Sequence, residues 1–280
     1  MTLIRVLRTA QVTLSHTFFV DGDATAPTGT LQAAVKRAAD GTTVAGSPFT
    51  YTVSGTTCSF ALPAQAQLDK VTVDWSGTIA GATVTARDFV EIVGGFFFGL
   101  TEVKVNQSYT TDDLAAARIE VEDECERICR RAFVPRFEYE QLVGSGTARL
   151  GTIRNELRTL RAVIVDGVAW SAPDVAAVIP LPHGVLRRPG GALWPADASI
   201  VVEYEHGWDY PPPGIVTAAK RRMKSLLTGP SSGVPERAQS FTSPEGGIYR
   251  LSMPDDENTG IPDVDAAYHR WARRRKAVFA

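Results

Sequence analysis

The carboxylates with the most suggestive spacing stand in two strand-like runs, FEYEQLV and SIVVEYEHGW. Glu203 and Glu205, and likewise Glu138 and Glu140, are two residues apart, which puts each pair on one face of an extended strand, about 6–7 Å between members. Two carboxyl groups at such a separation can serve an inverting glycosidase, one as general acid and one as base. The same residues also read as a solvated strand face opposed by Arg187 and Arg188, and that second reading is preferred. His183 and His206 stand beside Gly184 and Gly207 and are expected to be structural. GPSSG at 229–233 has the spacing of a hydrolase nucleophile elbow, but that motif needs a strand before the serine and a helix after it. Here it follows a helical run and leads to Pro235. GSGTARLG at 144–151 lacks the lysine of a phosphate loop and opens no helix. Cys125 and Cys129 share a helical face without a third Cys or a His nearby, so they are expected to be buried, inert thiols rather than zinc ligands. The expectation is a non-enzymatic chain with no catalytic set, no metal and no cofactor.

The element that organises these segments runs from Thr110 to Ala132. Thr110 can cap a first turn in which Asp112 and Asp113 face the positive end of the helix dipole. Leu114, Ala117, Val121, Cys125, Ile128 and Ala132 recur every three or four residues, one face of a helix. Acids come early (Glu120 to Glu126) and Arg127, Arg130 and Arg131 late, the order the dipole prefers. The run would span about 35 Å at about 1.5 Å per residue, and Pro135 is expected to end it.

Residues 11–93 alternate short runs of period two with Gly, Pro and Asp clusters, the pattern of an antiparallel sandwich. About seven short strands fit an immunoglobulin-like domain over residues 1–98, with Val71, Val73 and Trp75 pointing into its core. Gly94 and Gly95 permit a bend, and Phe96 to Phe98 form an apolar plug. After the long helix, a β-rich insert (136–210) contains a strand pair from FEYEQLV and TARLG and a tight hairpin at Asp166-Gly167. Pro211 to Pro213 open a helix over 214–228, with Ile215, Ala218, Ala219, Arg222, Met223 and Leu226 on one stripe and Gly229-Pro230 as its stop. Residues 229–260 read as an extended arm with one strand at IYRLS. A final helix over 262–276 carries Val264, Ala267, Tyr268, Trp271 and Arg275 on one side and a basic end. The fold class expected is therefore α+β and multidomain, divided into 1–98 and 99–280.

A length of 280 residues suits two domains. Hydrophobic residues at 44%, charged residues at 21% and a net charge of −2 exclude a generally basic, nucleic-acid-coating protein. Three cysteines cannot form a disulfide framework, which fits a reducing compartment of synthesis. Arg5 and Arg8 precede a run broken by Thr13, Ser15, His16 and Thr17, so no signal peptide is expected. No stretch approaches the length of a membrane span.

The order of these pieces carries a resemblance. TTDDL opening the helix, then VIVDGVAW, VVEYEHGWDYPPPGIVTAAKRRMKSLL, SFTSPEGGIYRLS and TGIPDVDAAYHRWARR resemble the head-to-tail adaptor (connector) proteins of long-tailed bacteriophages, especially those of actinobacteria. LDKVTVDWSG and VTARDFVEIVGGFFF are similar to the immunoglobulin-like extension such proteins can carry. The resemblance implies a virion neck protein made in the bacterial host cytoplasm. It would form a homo-oligomeric ring, usually twelve copies, beneath the portal protein. Such a ring extends the channel for packaging and ejection of double-stranded DNA, passed without sequence specificity, and offers a surface to a stopper or other neck protein. By position, the arm and final helix would grip the portal or a neighbour, with Tyr249, Arg250, Tyr268, Arg270, Trp271, Arg273, Arg274, Arg275 and Lys276 as the contact residues. A weakly acidic chain is compatible with a conduit, because a basic lumen would hold phosphates that must slide. The alternative is a glycan- or protein-binding tail or surface component that uses the immunoglobulin-like domain.

Overall fold

The computed structural model describes residues 3–104, 108–228 and 257–273, together with the backbone of 240–242 and 248–250. Within these the protein is a mixed α+β chain, mostly strands in several sheets, with four α-helices. Contacts divide it into two compact units, 1–95 with 135–207, and 96–134 with 208–280. This grouping differs from the division expected after residue 98, since the insert is counted with the N-terminal strands.

In the strand-rich unit, β1 (Leu3–Leu7), β4 (Thr28–Arg37), β5 (Phe49–Thr50), β8 (Asp69–Ile79) and β9 (Ala82–Val93) form one sheet in the order β1-β9-β8-β4-β5. A second sheet contains β2 (Val12–Val20), β3 (Asp23–Thr25), β6 (Thr52–Ser54) and β7 (Thr57–Leu62) in the order β3-β2-β7-β6. Nine strands replace the seven expected, and β1, ahead of the run read as an antiparallel sandwich, pairs in parallel with β9. The alternation in β8 holds: Val71, Val73 and Trp75 are buried, and the residues between them are half-buried. Both sheets contribute to one core, Leu14, Phe18, Phe60 and Leu62 from the second meeting Val35, Val73, Trp75 and Ile92 from the first. A buried indole needs a partner for its N–H, and Trp75 Nε1 donates to Asp88 at 2.9 Å, beside His16 Nδ1 on the same carboxylate.

The insert adds β10 (Arg136–Val143), β12 (Leu157–Val165), β13 (Val168–Ala169) and β16 (Ser199–His206), ordered β10-β16-β12-β13. A smaller sheet is made by β11 (Arg149–Gly151), β14 (Ile179–Leu181) and β15 (Val185–Arg187), ordered β11-β15-β14, and α2 (Ala172–Ala177) caps the region. FEYEQLV and TARLG therefore do not pair with each other. β10 pairs with β16 and β11 with β15, because burial of Tyr204, Val202 and Ile200 in the insert core selects distant partners over the nearest one. The Asp166-Gly167 hairpin is present, both residues at positive φ (48° and 81°) as a type I′ turn requires. Gly94 is required by close approach: a Cβ there would lie 2.6 Å from Pro135 Cβ, and its N–H donates to the Pro135 carbonyl.

The helical unit is built from α1 (Thr111–Cys129), α3 (Pro213–Thr228) and α4 (Pro262–Trp271). Thr110 caps α1 as its chemistry predicts, accepting from Asp113 N–H while the Asp113 side chain returns to Thr110 N–H. The helix ends three residues earlier than expected, and Pro135 is not its stop. Arg130 turns the chain in the left-handed region (φ 55°), a place usually taken by glycine. Val121, Cys125, Ile128, Ile215, Ala219, Met223, Val264 and Tyr268 close the core with Phe97 and Phe98. Within 229–261, the backbone of β17 (Ser240–Thr242) pairs antiparallel with β18 (Ile248–Arg250), so the expected single strand belongs to a pair. No helix among the described residues is long and apolar enough to cross a membrane.

Candidate functional site

Two places bear on function: the carboxylate-bearing strands of the insert, read from sequence as a solvated face, and the C-terminal grip. On β10 and β16 the period of two sends Glu203 and Glu205 to one side, as expected. Their partners are not Arg187 and Arg188. Arg37 Nη2 donates to Glu203 at 2.7 Å, while the same guanidinium reaches Asp69 and Asp40, each at 2.7 Å. Burial works against its charge, but the bonds and charges of Asp69 and Glu203 outweigh that and raise its pKa further. Arg161 lies 3.9 Å from Glu205, donates to the Leu68 carbonyl and Gln67, and covers the Phe137 ring at 4.9 Å.

Glu138 is held between Lys70 (2.5 Å) and Arg154 (3.0 Å). Glu140 accepts from the Tyr204 hydroxyl and from Ile153 N–H, and burial pushes its carboxyl up. Deeper in the unit, Glu91 takes Arg5 at 2.7 Å and Arg136 at 3.5 Å. Burial opposes its charge, yet Arg136 and Arg5 hold the carboxyl down at about 2. His206 is the reverse case. Burial, then Arg154, Lys70 and Arg136, press its imidazole down to about 3, so it is neutral.

A cleft of about 640 Å³ opens beside Arg37, Asp69, Arg161 and Glu203. Its two carboxylates are each bound to Arg37. A general acid–base pair needs one carboxyl free to hold a proton and one free to take it, and here both charges are already neutralised by a guanidinium. Glu203 is tied to Arg37 on β4 and Glu205 faces Arg161 on β12, contacts that link strands. The Ser145–Thr147 segment folds onto the Arg149 carbonyl and enters β11, not a helix, which removes the phosphate-loop reading. The 229–233 motif lies outside the described residues.

In the helical unit the proposed grip residues separate. Tyr268 is fully buried in the core, beside Cys125 and Cys129, and burial raises its hydroxyl above the phenol range. Its place in the core corrects the expectation of a surface contact. Trp271 is half-buried with its edge toward Trp208 (5.6 Å), Arg270 is exposed, and half-buried Arg273 donates its N–H to the Cys129 carbonyl. Tyr249 and Arg250 lie on β18 with their side chains outside the description, as are Arg274, Arg275 and Lys276. The two thiols of α1 are buried with sulfurs 3.9 Å apart, and burial pushes Cys125 up. Among the described residues no set of three metal-binding side chains converges.

One arrangement carried no sequence signal. The Phe96–Phe98 segment is clasped by α1: Glu122 accepts Phe97 N–H at 2.8 Å, and Arg118 donates to the Phe98 carbonyl while its guanidinium lies 3.4 Å from the Phe96 ring centre. Glu122 and Arg118 read in sequence as ordinary members of a charged helix, and only their burial distinguishes them.

No protein-family model matches the chain, and no curated protein does. Among solved structures the chain is similar to a protein in the neck of an empty GTA particle, a phage-like neck computed with C6 symmetry. That likeness covers 64% of this chain and 91% of the other at 14% identity, with a TM-score of 0.43.

Proposed function

We propose that this protein is a structural component of a phage neck, a ring-forming adaptor that docks on a portal, extends the DNA channel and receives the next neck protein. The observation that supports it best is the way the helical unit is closed. α1 and α3 are completed by α4, which returns after residues 229–261 and buries Val264 and Tyr268 between them. This is the order of long helix, β-rich insert, second helix, arm and terminal helix on which the sequence resemblance rests. The two sheets sharing one core over residues 3–93 support the immunoglobulin-like reading of the first domain. The arm, with its β17–β18 pair, and the exposed end of α4 at Arg270 are the portal-facing parts in this reading, together with the basic residues that follow.

A truncation from Ser231 is a poor test, because it removes the buried face of α4 and opens the helical core. Replacing 240–250 by a Gly/Ser linker of equal length keeps α4. The expected result is a folded protein with native helix content that no longer sediments with portal rings from the same genome. Portal capture equal to that of the unaltered chain would overturn the role given to the arm.

A further inference from the structure

The C-terminal ends of α1 and α4 are tied to one another. Arg273 N–H donates to the Cys129 carbonyl at 3.1 Å, and Cys129 Sγ donates to the Tyr268 carbonyl at 3.3 Å. A cavity of about 230 Å³ lies at these ends, lined by Ile128, Arg130, Glu257, His269, Ala272 and Arg273. Cations near helix C-termini are ordinary, because they offset the helix dipole. Here two arginines and a histidine, contributed by the ends of two helices, line one cavity with a single carboxylate, and buried Ile128 gives it an apolar wall.

The carboxylate shows which chemistry the cavity suits. Arg130 Nη2 donates to Glu257 Oε1 at 3.0 Å, yet the Glu257 side chain is 60% exposed. Glu257 stands in the segment ahead of α4. That segment is fixed by Thr259, whose N–H and hydroxyl both donate to Asp265, and by the bond between Asn258 and His269 Nε2 at 2.9 Å. An exposed ion pair contributes little to stability, so an incoming carboxylate can take the place of Glu257 at small cost. A cavity of this volume has room for one side chain. A DNA phosphate, flanked on both sides by sugars, does not enter such a space, whereas the end of a Glu or Asp side chain does.

We propose that this cavity is a docking site for an acidic side chain of a partner protein, whose carboxylate binds Arg130 and Arg273 in place of Glu257. Arginine suits the role, because its guanidinium fork matches a carboxylate. Glu257 then acts as an internal competitor that sets the affinity. In the adaptor reading the partner is the portal. That identity rests on the adaptor reading, and the chemistry of the cavity does not.

The test measures binding of a fluorescein-labelled hexaglutamate peptide to the full chain by anisotropy at low salt. Hexaglutamine and a short DNA duplex serve as comparison probes. The hexaglutamate should bind and the hexaglutamine should not. Arg130→Asn with Arg273→Gln should weaken binding about tenfold or more, the asparagine chosen because position 130 has positive φ. Glu257→Gln should tighten binding about two- to fivefold by removing the competitor, a gain that a purely structural ion pair would not give. Lys224→Gln, at an exposed cation of α3 that does not line the cavity, should leave affinity unchanged. The proposal is overturned by a wild-type chain that ignores the peptide, or by a Glu257→Gln variant that binds no tighter than wild type. Equal losses from the Lys224 and Arg130 variants would overturn it too, as would tighter binding of the duplex with the same dependence on Arg130. Portal capture is scored separately on the same variants. Peptide binding without capture leaves the cavity standing and removes the portal as its partner.

Discussion

Buried charge is used differently in the two units. In the strand-rich unit Glu91 joins Arg5 to Arg136, and Arg37 joins Asp69 to Glu203, so each charge ties together segments far apart in sequence. In the helical unit three buried charges bond to the main chain. Glu122 accepts from Phe97 N–H, Arg118 donates to the Phe98 carbonyl, and Asp265 accepts from Thr259 N–H at 2.6 Å ahead of α4. An ion pair of the same unit, Arg222 with Glu124, links α3 to α1. Ion pairs between distant strands are thus prominent in the first unit, and bonds from charged side chains to the main chain at the entries of an apolar core are prominent in the second. The first should be the more sensitive to acid, the second to loss of side-chain volume.

The largest effect expected is in the helical core. Tyr268→Ala removes a fully buried ring and should cost about 4 kcal/mol, read as a lower denaturant midpoint; a loss under about 1 kcal/mol would mean that α4 does not complete this core. Next is Glu91→Gln, which leaves Arg5 and Arg136 facing a neutral group and should cost about 3 kcal/mol. The same variant should alter the acid limb. The native Glu91 carboxyl titrates at about 2 against an ordinary 4.5, so its contribution is complete above about pH 4.5 and is lost as pH falls toward 2.

His206 acts earlier. Its folded value of about 3 lies below the ordinary 6.5, so between these limits the unfolded chain binds a proton the folded chain refuses. Stability should fall from pH 6.5 downward by at most about 1.4 kcal/mol per pH unit. His206→Gln should flatten the melting temperature between pH 6.5 and 4.5, and an unchanged profile would contradict a neutral buried imidazole. Thr110→Ala should cost about 1 kcal/mol through loss of the α1 cap. The smallest effect is Phe19→Ser at an exposed position, which should leave folding stability within about 0.5 kcal/mol, read as an unchanged denaturant midpoint.

What could be read from sequence was local. The Thr110 cap, the Asp166-Gly167 turn, the alternation in β8 and the stripe on α3 depend on neighbours a few residues away, and all are present. The end of α1 has no local sequence mark, because Arg130, not a glycine, adopts the left-handed turn. Strand partners in the insert are not legible locally, because the register of β16 between β10 and β12 is set by burial of Tyr204 and Val202, which short-range pattern does not contain. The partners of Glu203 and Glu205 lie 166 and 44 residues away, at Arg37 and Arg161, where nearby Arg187 and Arg188 looked adequate. At the proposed grip, helical periodicity placed Tyr268 with Val264 on one face, but the inward direction of that face came only with α1 and α3.

The central claim is that the chain assembles as a ring on a portal. Mass photometry of the purified protein, alone and mixed with portal rings from the same genome, addresses it most directly. The account predicts a discrete mass step equal to a closed ring of copies, about twelve by the family resemblance, on each portal. Portal rings of unchanged mass across a range of salt concentrations would contradict it.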